Sequence, residues 1–133
     1  MVLVDTNVLL DIATRDETWF EWSAMRLAPL IASREAAINP IIYTELAPLY
    51  RDARDLDLNL VPPTDFRRLP LPYSCAFAAA RAFQAYRNDG GTRTAPLPDF
   101  FIGAHAEAEN LTLLTRDARR YRTYFPQVKL ICP

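Results

Sequence analysis

Long apolar runs are missing from this chain: nothing in it reaches the ~18 apolar residues that a membrane span requires. Asp5 interrupts the N-terminal apolar segment and no basic region precedes it, so no secretory leader is expected and the protein reads as cytoplasmic. Cysteine is scarce. Cys75 and Cys132 lie far apart without a CxxC pair, which excludes a cysteine zinc site or disulfide framework and leaves both as core thiols. Lysine and histidine each occur once, as Lys129 and His105, so fourteen of the fifteen basic residues are arginines. The formal net charge of −1 excludes nucleic-acid binding through bulk charge alone. Such binding has to come from local charge, and Arg116, Arg119, Arg120 and Arg122 gather around Asp117 as candidate phosphate contacts or as a solvated face.

Half of the 133 residues are hydrophobic and 23% are charged, a globular composition long enough for one core. A single domain over residues 1–133 is expected. Residues 1–4 read as a strand ended by Asp5, and Thr6-Asn7 lead into helical apolar spacing from Val8. Asp11 on that helix reads as a surface acid. Residues 17–34 carry Trp19, Phe20, Trp22, Met25, Leu27 and Leu30 at helical spacing, more apolar bulk than one helix needs, and Pro29 should bend or split the helix. Residues 36–39 read as a second strand, with Asn39 as N-cap and Pro40 first in the helix that carries Glu45. Pro48 should kink that helix.

Residues 52–65 supply a short helix and a connection, and 66–72 a third strand confined to an edge by its prolines. The alanine-rich stretch 73–87 predicts a helix stopped by Asn88-Asp-Gly-Gly91. Pro98 suits a first helical position, which sets Asp99 in the first turn beside unpaired N–H groups. That helix ends at Asn110. Residues 111–115 then form a buried strand with Asp117 at its carboxyl end, 118–124 a short helix and 127–132 a last strand. Strands alternating with helices imply an α/β fold around a buried parallel sheet of four to five strands.

Asp5 and Asp117 each follow a predicted strand, whereas Glu45 and Asp99 ride on helices that leave loops at the same sheet edge. All four carboxylates can converge where open α/β sheets bind ligands. Acids packed without a counter-charge repel, so the cluster makes physical sense chiefly around a divalent cation. Oxygen donors without cysteine or an evident histidine partner favour Mg2+ or Mn2+ over zinc. Such an ion leaves sites for water and phosphate oxygens, which opens phosphodiester hydrolysis to the cluster. His105 lies six residues after Asp99, about 240° around an ideal helix, and should face away from it in a packed or hydrogen-bonded role. Gly103 costs roughly 1 kcal/mol in mid-helix and points to close packing against the sheet.

Together, Val2-Leu-Val-Asp-Thr-Asn-Val-Leu-Leu-Asp11, Thr44-Glu45-Leu46, Leu97-Pro-Asp-Phe-Phe-Ile-Gly-Ala-His-Ala106 and Leu113-Leu-Thr-Arg-Asp117 resemble a PIN domain of the VapC type, in that family's order and over nearly the whole chain. The resemblance implies a three-layer α/β fold, its central parallel sheet in the order 3-2-1-4-5 and flanked by helices, acting as a Mg2+- or Mn2+-dependent ribonuclease. On it, Asp5, Glu45 and Asp99 match metal-binding catalytic acids, Asp117 the more variable fourth acid, and Thr115 a supporting position, with Thr6 and Asn7 beside Asp5. It also implies RNA as substrate and, for a toxin, a cognate antitoxin as partner. A homodimer, and an RNA-processing role without an antitoxin, stay open. A haloacid-dehalogenase-like phosphatase would want a second aspartate where this chain has Asn7. A receiver-like phosphate-binding module would need a lysine near the pocket, whereas Lys129 lies late in the last strand.

Overall fold

The computed structural model describes residues 1–133. Five strands, β1 (Val2–Val4), β2 (Ala36–Ile38), β3 (Arg67–Arg68), β4 (Thr112–Leu114) and β5 (Leu130–Ile131), make one all-parallel sheet in the order β3-β2-β1-β4-β5. The helices that flank it are α1 (Thr6–Ala13), α2 (Phe20–Ala32), α3 (Pro40–Leu46), α4 (Ala53–Asn59), α5 (Tyr73–Asn88), α6 (Pro98–Ala108) and α7 (Arg119–Tyr124). This is the three-layer α/β arrangement and the strand order expected.

β1 sits at the centre, with Val2 opposite Ala36 on one side and Thr112 on the other. Its three residues are buried, as are those of β2, because helices cover both faces of a parallel sheet. β3 lies at the edge with both residues exposed, and Pro70 and Pro72 follow it, where a ladder donor would be missing. One core cluster of 24 buried side chains runs from Val2 on β1 to Phe125 just past α7, so sheet and helices share a single interior. No helix is long and apolar enough to cross a membrane.

Local signals account for most element ends. Asn39 caps α3 by accepting the Ile42 N–H through Oδ1 at 2.9 Å, and Pro40 follows at the first helical position. Pro98 likewise opens α6, with Asp99 in its first turn. Pro29 does not split its helix, and Pro48 acts otherwise than expected. Pro29 lies within a continuous α2 that begins at Phe20; the carbonyl it cannot bond belongs to Met25, a residue that is 69% exposed. Pro48 ends α3 instead of kinking it: the helix stops at Leu46 and tightens into a 3-10 turn over Ala47–Leu49. Gly103 does mark a close approach, but to the Phe125 ring rather than to the sheet, since a Cβ there would collide with it.

Candidate active site

Asp5 stands one residue beyond β1, as N-cap of α1, and is 3% exposed. Its Oδ2 accepts three side-chain hydrogen bonds, from Thr115 Oγ1 at 2.8 Å, Tyr121 O–H at 3.0 Å and Asn7 Nδ2 at 3.1 Å. No side-chain donor reaches Oδ1. The supporting residues are satisfied in turn. Asn7 also donates to Thr115 Oγ1 at 3.1 Å and accepts the Arg116 N–H at 3.2 Å, while the Asp117 N–H donates to Thr115 Oγ1 at 3.2 Å. One carboxylate oxygen is therefore locked and the other is left for a ligand.

Glu45 enters from α3, and Thr6 Oγ1 donates to its Oε1 at 2.7 Å, tying the α3 acid to the turn after β1. Asp99 enters from the first turn of α6, where Arg120 Nη1 donates to its Oδ2 at 3.0 Å. The charge of Asp99 reaches both other acids. Burial above all, then the charge of Asp99, pushes the Asp5 carboxyl up to about 7 against the pull of its Thr115 and Tyr121 hydrogen bonds. Burial and Asp99 likewise raise Glu45, and burial followed by the charges of Asp5 and Asp99 holds the Tyr121 phenol well above its usual range, so it stays a donor. Asp117 stands apart on the rim, exposed, with Arg119 Nε 3.9 Å from its Oδ1. It contributes to none of these shifts but shares a cleft of about 390 Å3 with Asp99.

As the side chains stand, no three of them are arranged to hold a metal ion. The donor chemistry nevertheless suits a hard cation: all oxygen, one free oxygen on Asp5, and mutual repulsion that a divalent charge would relieve. The counter-charge present is Arg120. Asp117 has only the looser contact with the exposed Arg119 beside it, whereas Asp99 takes Arg120 in a direct hydrogen bond.

One expectation is corrected. Asp11 is not a surface acid. It is 2% exposed, accepts Ser23 Oγ–H at 2.7 Å, and takes Arg116 Nε on both oxygens at 2.9 Å. Arg116 is correspondingly engaged through Nε with Asp11, while Arg119 and Arg120 line the cleft. Its guanidinium lies 5.8 Å from the Trp19 ring and joins the end of β4 to α1 and α2. His105 is buried, as expected of a packed residue. Its Nδ1 lies 3.0 Å from Asn39 Nδ2 and its Nε2 3.1 Å from Glu109 Oε2, so the tautomer protonated on Nε2 satisfies both partners and links α6 to the cap of α3. Tyr121 was missed. Its partner Asp5 lies 116 residues away, so no local spacing signals the contact.

The profile of the PIN domain matches residues 2–126. The chain belongs to the PIN domain family. That family consists of nucleases, which generally use divalent metal ions, and membership sets aside the phosphatase and receiver-like alternatives. No protein of curated function matches in sequence. Solved structures with this PIN fold include VapBC2 from Rickettsia felis bound to a DNA fragment from its promoter, 20% identical with a TM-score of 0.67 over 99% of this chain and 98% of that one. FitAcB from Neisseria gonorrhoeae is 24% identical with a TM-score of 0.71, covering 98% and 96%. DNA-bound VapBC from Salmonella typhimurium is 18% identical with a TM-score of 0.67, again covering 98% and 96%.

Proposed function

We propose that this PIN domain is a Mg2+- or Mn2+-dependent endoribonuclease and the toxin of a type II toxin-antitoxin pair. The observation that carries the reading is the meeting of Asp5, Glu45 and Asp99 at the carboxyl edge of the sheet, close enough for Asp99 to raise both other acids. Asp5 and Asp99 would be the principal metal ligands, with Glu45 reaching the same ion or orienting its water. Bound there, a divalent cation supplies an activated water and neutralises charge on the phosphorus.

The chain's own residues supply the positioning. Thr115, Asn7 and Tyr121 hold Asp5 so that its free oxygen keeps one direction, and Thr6 holds Glu45. Asp117, on the rim, suits a second ion or placement of the substrate strand, and Arg119 and Arg120 suit its phosphates. An antitoxin partner is supported by the VapBC and FitAcB assemblies that share the fold, and by α2, where Trp19 and Trp22 are only half-buried and Met25 is 69% exposed. A basic side chain from such a partner would find the acidic cleft complementary.

The test is incubation of purified protein with total cellular RNA, with and without Mg2+, followed by sequencing of the new ends. Metal-dependent cuts leaving 5′-phosphate and 3′-hydroxyl ends are expected. Equal cleavage in excess chelator would overturn the assignment.

A further inference from the structure

The cleft between α5, α6 and α7 extends away from the acids, and its far wall is of another chemistry. Tyr86, Arg119, Arg120, Thr123 and Tyr124 complete it beside Asp99 and Asp117, at a volume of about 390 Å3, within the range of small-molecule sites. Arg120 is held on two sides. Its guanidinium lies 5.7 Å from the centroids of both Tyr86 and Phe100, and Nη1 is spent on Asp99. Nε and Nη2 make no hydrogen bond within the chain, which leaves donors of a pre-oriented fork open. Arg119, 93% exposed, adds a second guanidinium. Tyr86 and Tyr124 turn their hydroxyls to residues 89–93, Tyr86 accepting the Arg93 N–H and Tyr124 donating to Asp89, so their rings remain as the wall.

Resting on the nuclease reading above, we propose that this cleft is a subsite for one unpaired nucleotide of the RNA next to the bond that is cut. Its phosphate lies on Arg119 and the free edge of Arg120, and its base lies against Tyr124. Unpaired bases stack on aromatic rings and guanidinium planes, whereas a base held in a duplex has no free face to offer. The larger cavity of about 450 Å3 between α3 and β3 does not compete for this role. Its one cation, Arg68, is already paired with Asp57 at 2.6 Å and lies over the Tyr43 ring.

The test is fluorescence anisotropy of a short end-labelled RNA with the purified full chain in chelator, where cleavage does not interfere. Single-stranded RNA should bind more tightly than the same sequence in a duplex. Arg119→Ala, at a position too exposed to affect folding, should lower the slope of log K against log salt by about 0.7. Tyr124→Leu, its fold checked by circular dichroism, should weaken single-strand binding at least about fivefold, and Arg120→Gln should weaken it too. Wild-type affinity and salt slope in Arg119→Ala, or equal binding of duplex and single strand, would overturn the subsite even where metal-dependent cleavage persists. RNA binding that depends on the cleft in a protein that never cleaves would keep the subsite and overturn the nuclease.

Discussion

Asp5→Asn should make the metal-free protein more stable at neutral and alkaline pH while removing its activity. In the unfolded chain this carboxyl titrates at 3.8, whereas in the fold it titrates at about 7. Between those values the folded protein keeps a proton that the unfolded chain has released, so stability falls as pH rises across the window and levels off above about 7. A shift of about three units corresponds to roughly 4 kcal/mol at most. Asparagine escapes this penalty without losing the local bonds. Its carbonyl oxygen can take the three donors now on Oδ2, and its amide then occupies the side that no side-chain donor reaches. Chemical denaturation in chelator should show the variant ahead by about 2–4 kcal/mol near pH 8, with the gap closing towards pH ~4. Saturating Mg2+ should stabilise the wild type and leave the variant unchanged. A variant no more stable than wild type near pH 8, or a gap independent of pH, would refute the account of a buried, mutually repelling acid.

Glu45→Gln and Asp99→Asn should each lower RNA turnover by at least ~100-fold, a loss of about 2.7 kcal/mol in the transition state. Asp117→Asn should cost less and recover partly at higher metal concentration; circular dichroism must show each variant folded. Arg116→Ala should destabilise the fold by about 3–5 kcal/mol in a urea melt, because it strands the buried Asp11 carboxylate with Ser23 as its remaining side-chain partner. Arg119→Ala should leave the same melt unchanged. Gly103→Ala should lower the melting temperature, since the collision with Phe125 costs about 1–3 kcal/mol and outweighs the gain of at most ~1 kcal/mol in helix propensity.

The backbone was readable because its signals are local. Val2-Leu-Val ended by Asp5, Asn39-Pro40 and Leu97-Pro98 are each strand-end or cap chemistry carried by neighbouring residues, and each stands where that chemistry predicts. Alternating strands and helices then restrict the sheet to parallel topologies. The prolines were harder to read, because their effect depends on what faces the orphaned carbonyl. At Pro29 that carbonyl belongs to the exposed Met25 and α2 continues; at Pro48 the chain leaves the helix.

Side-chain partners were the illegible part, because an acid's identity in the sequence says nothing of which cation folds onto it. Asp11 and Asp99 both precede the arginines of residues 116–122 by long stretches of chain, and their fates diverge. Asp11, 2% exposed, is sealed by Arg116 and Ser23 into a strut between α1, α2 and the end of β4, where its carboxylate has no solvent face on which to exchange ligands. Asp99 stays about one-third exposed, and its partner Arg120 keeps donors open on the same cleft. A pair of that kind can be redistributed when a cation or a phosphate arrives, because both charges retain access to water and neither must be buried alone. Burial of the acid, not the residue types in the pair, therefore separates a structural acid from one available for chemistry in this chain.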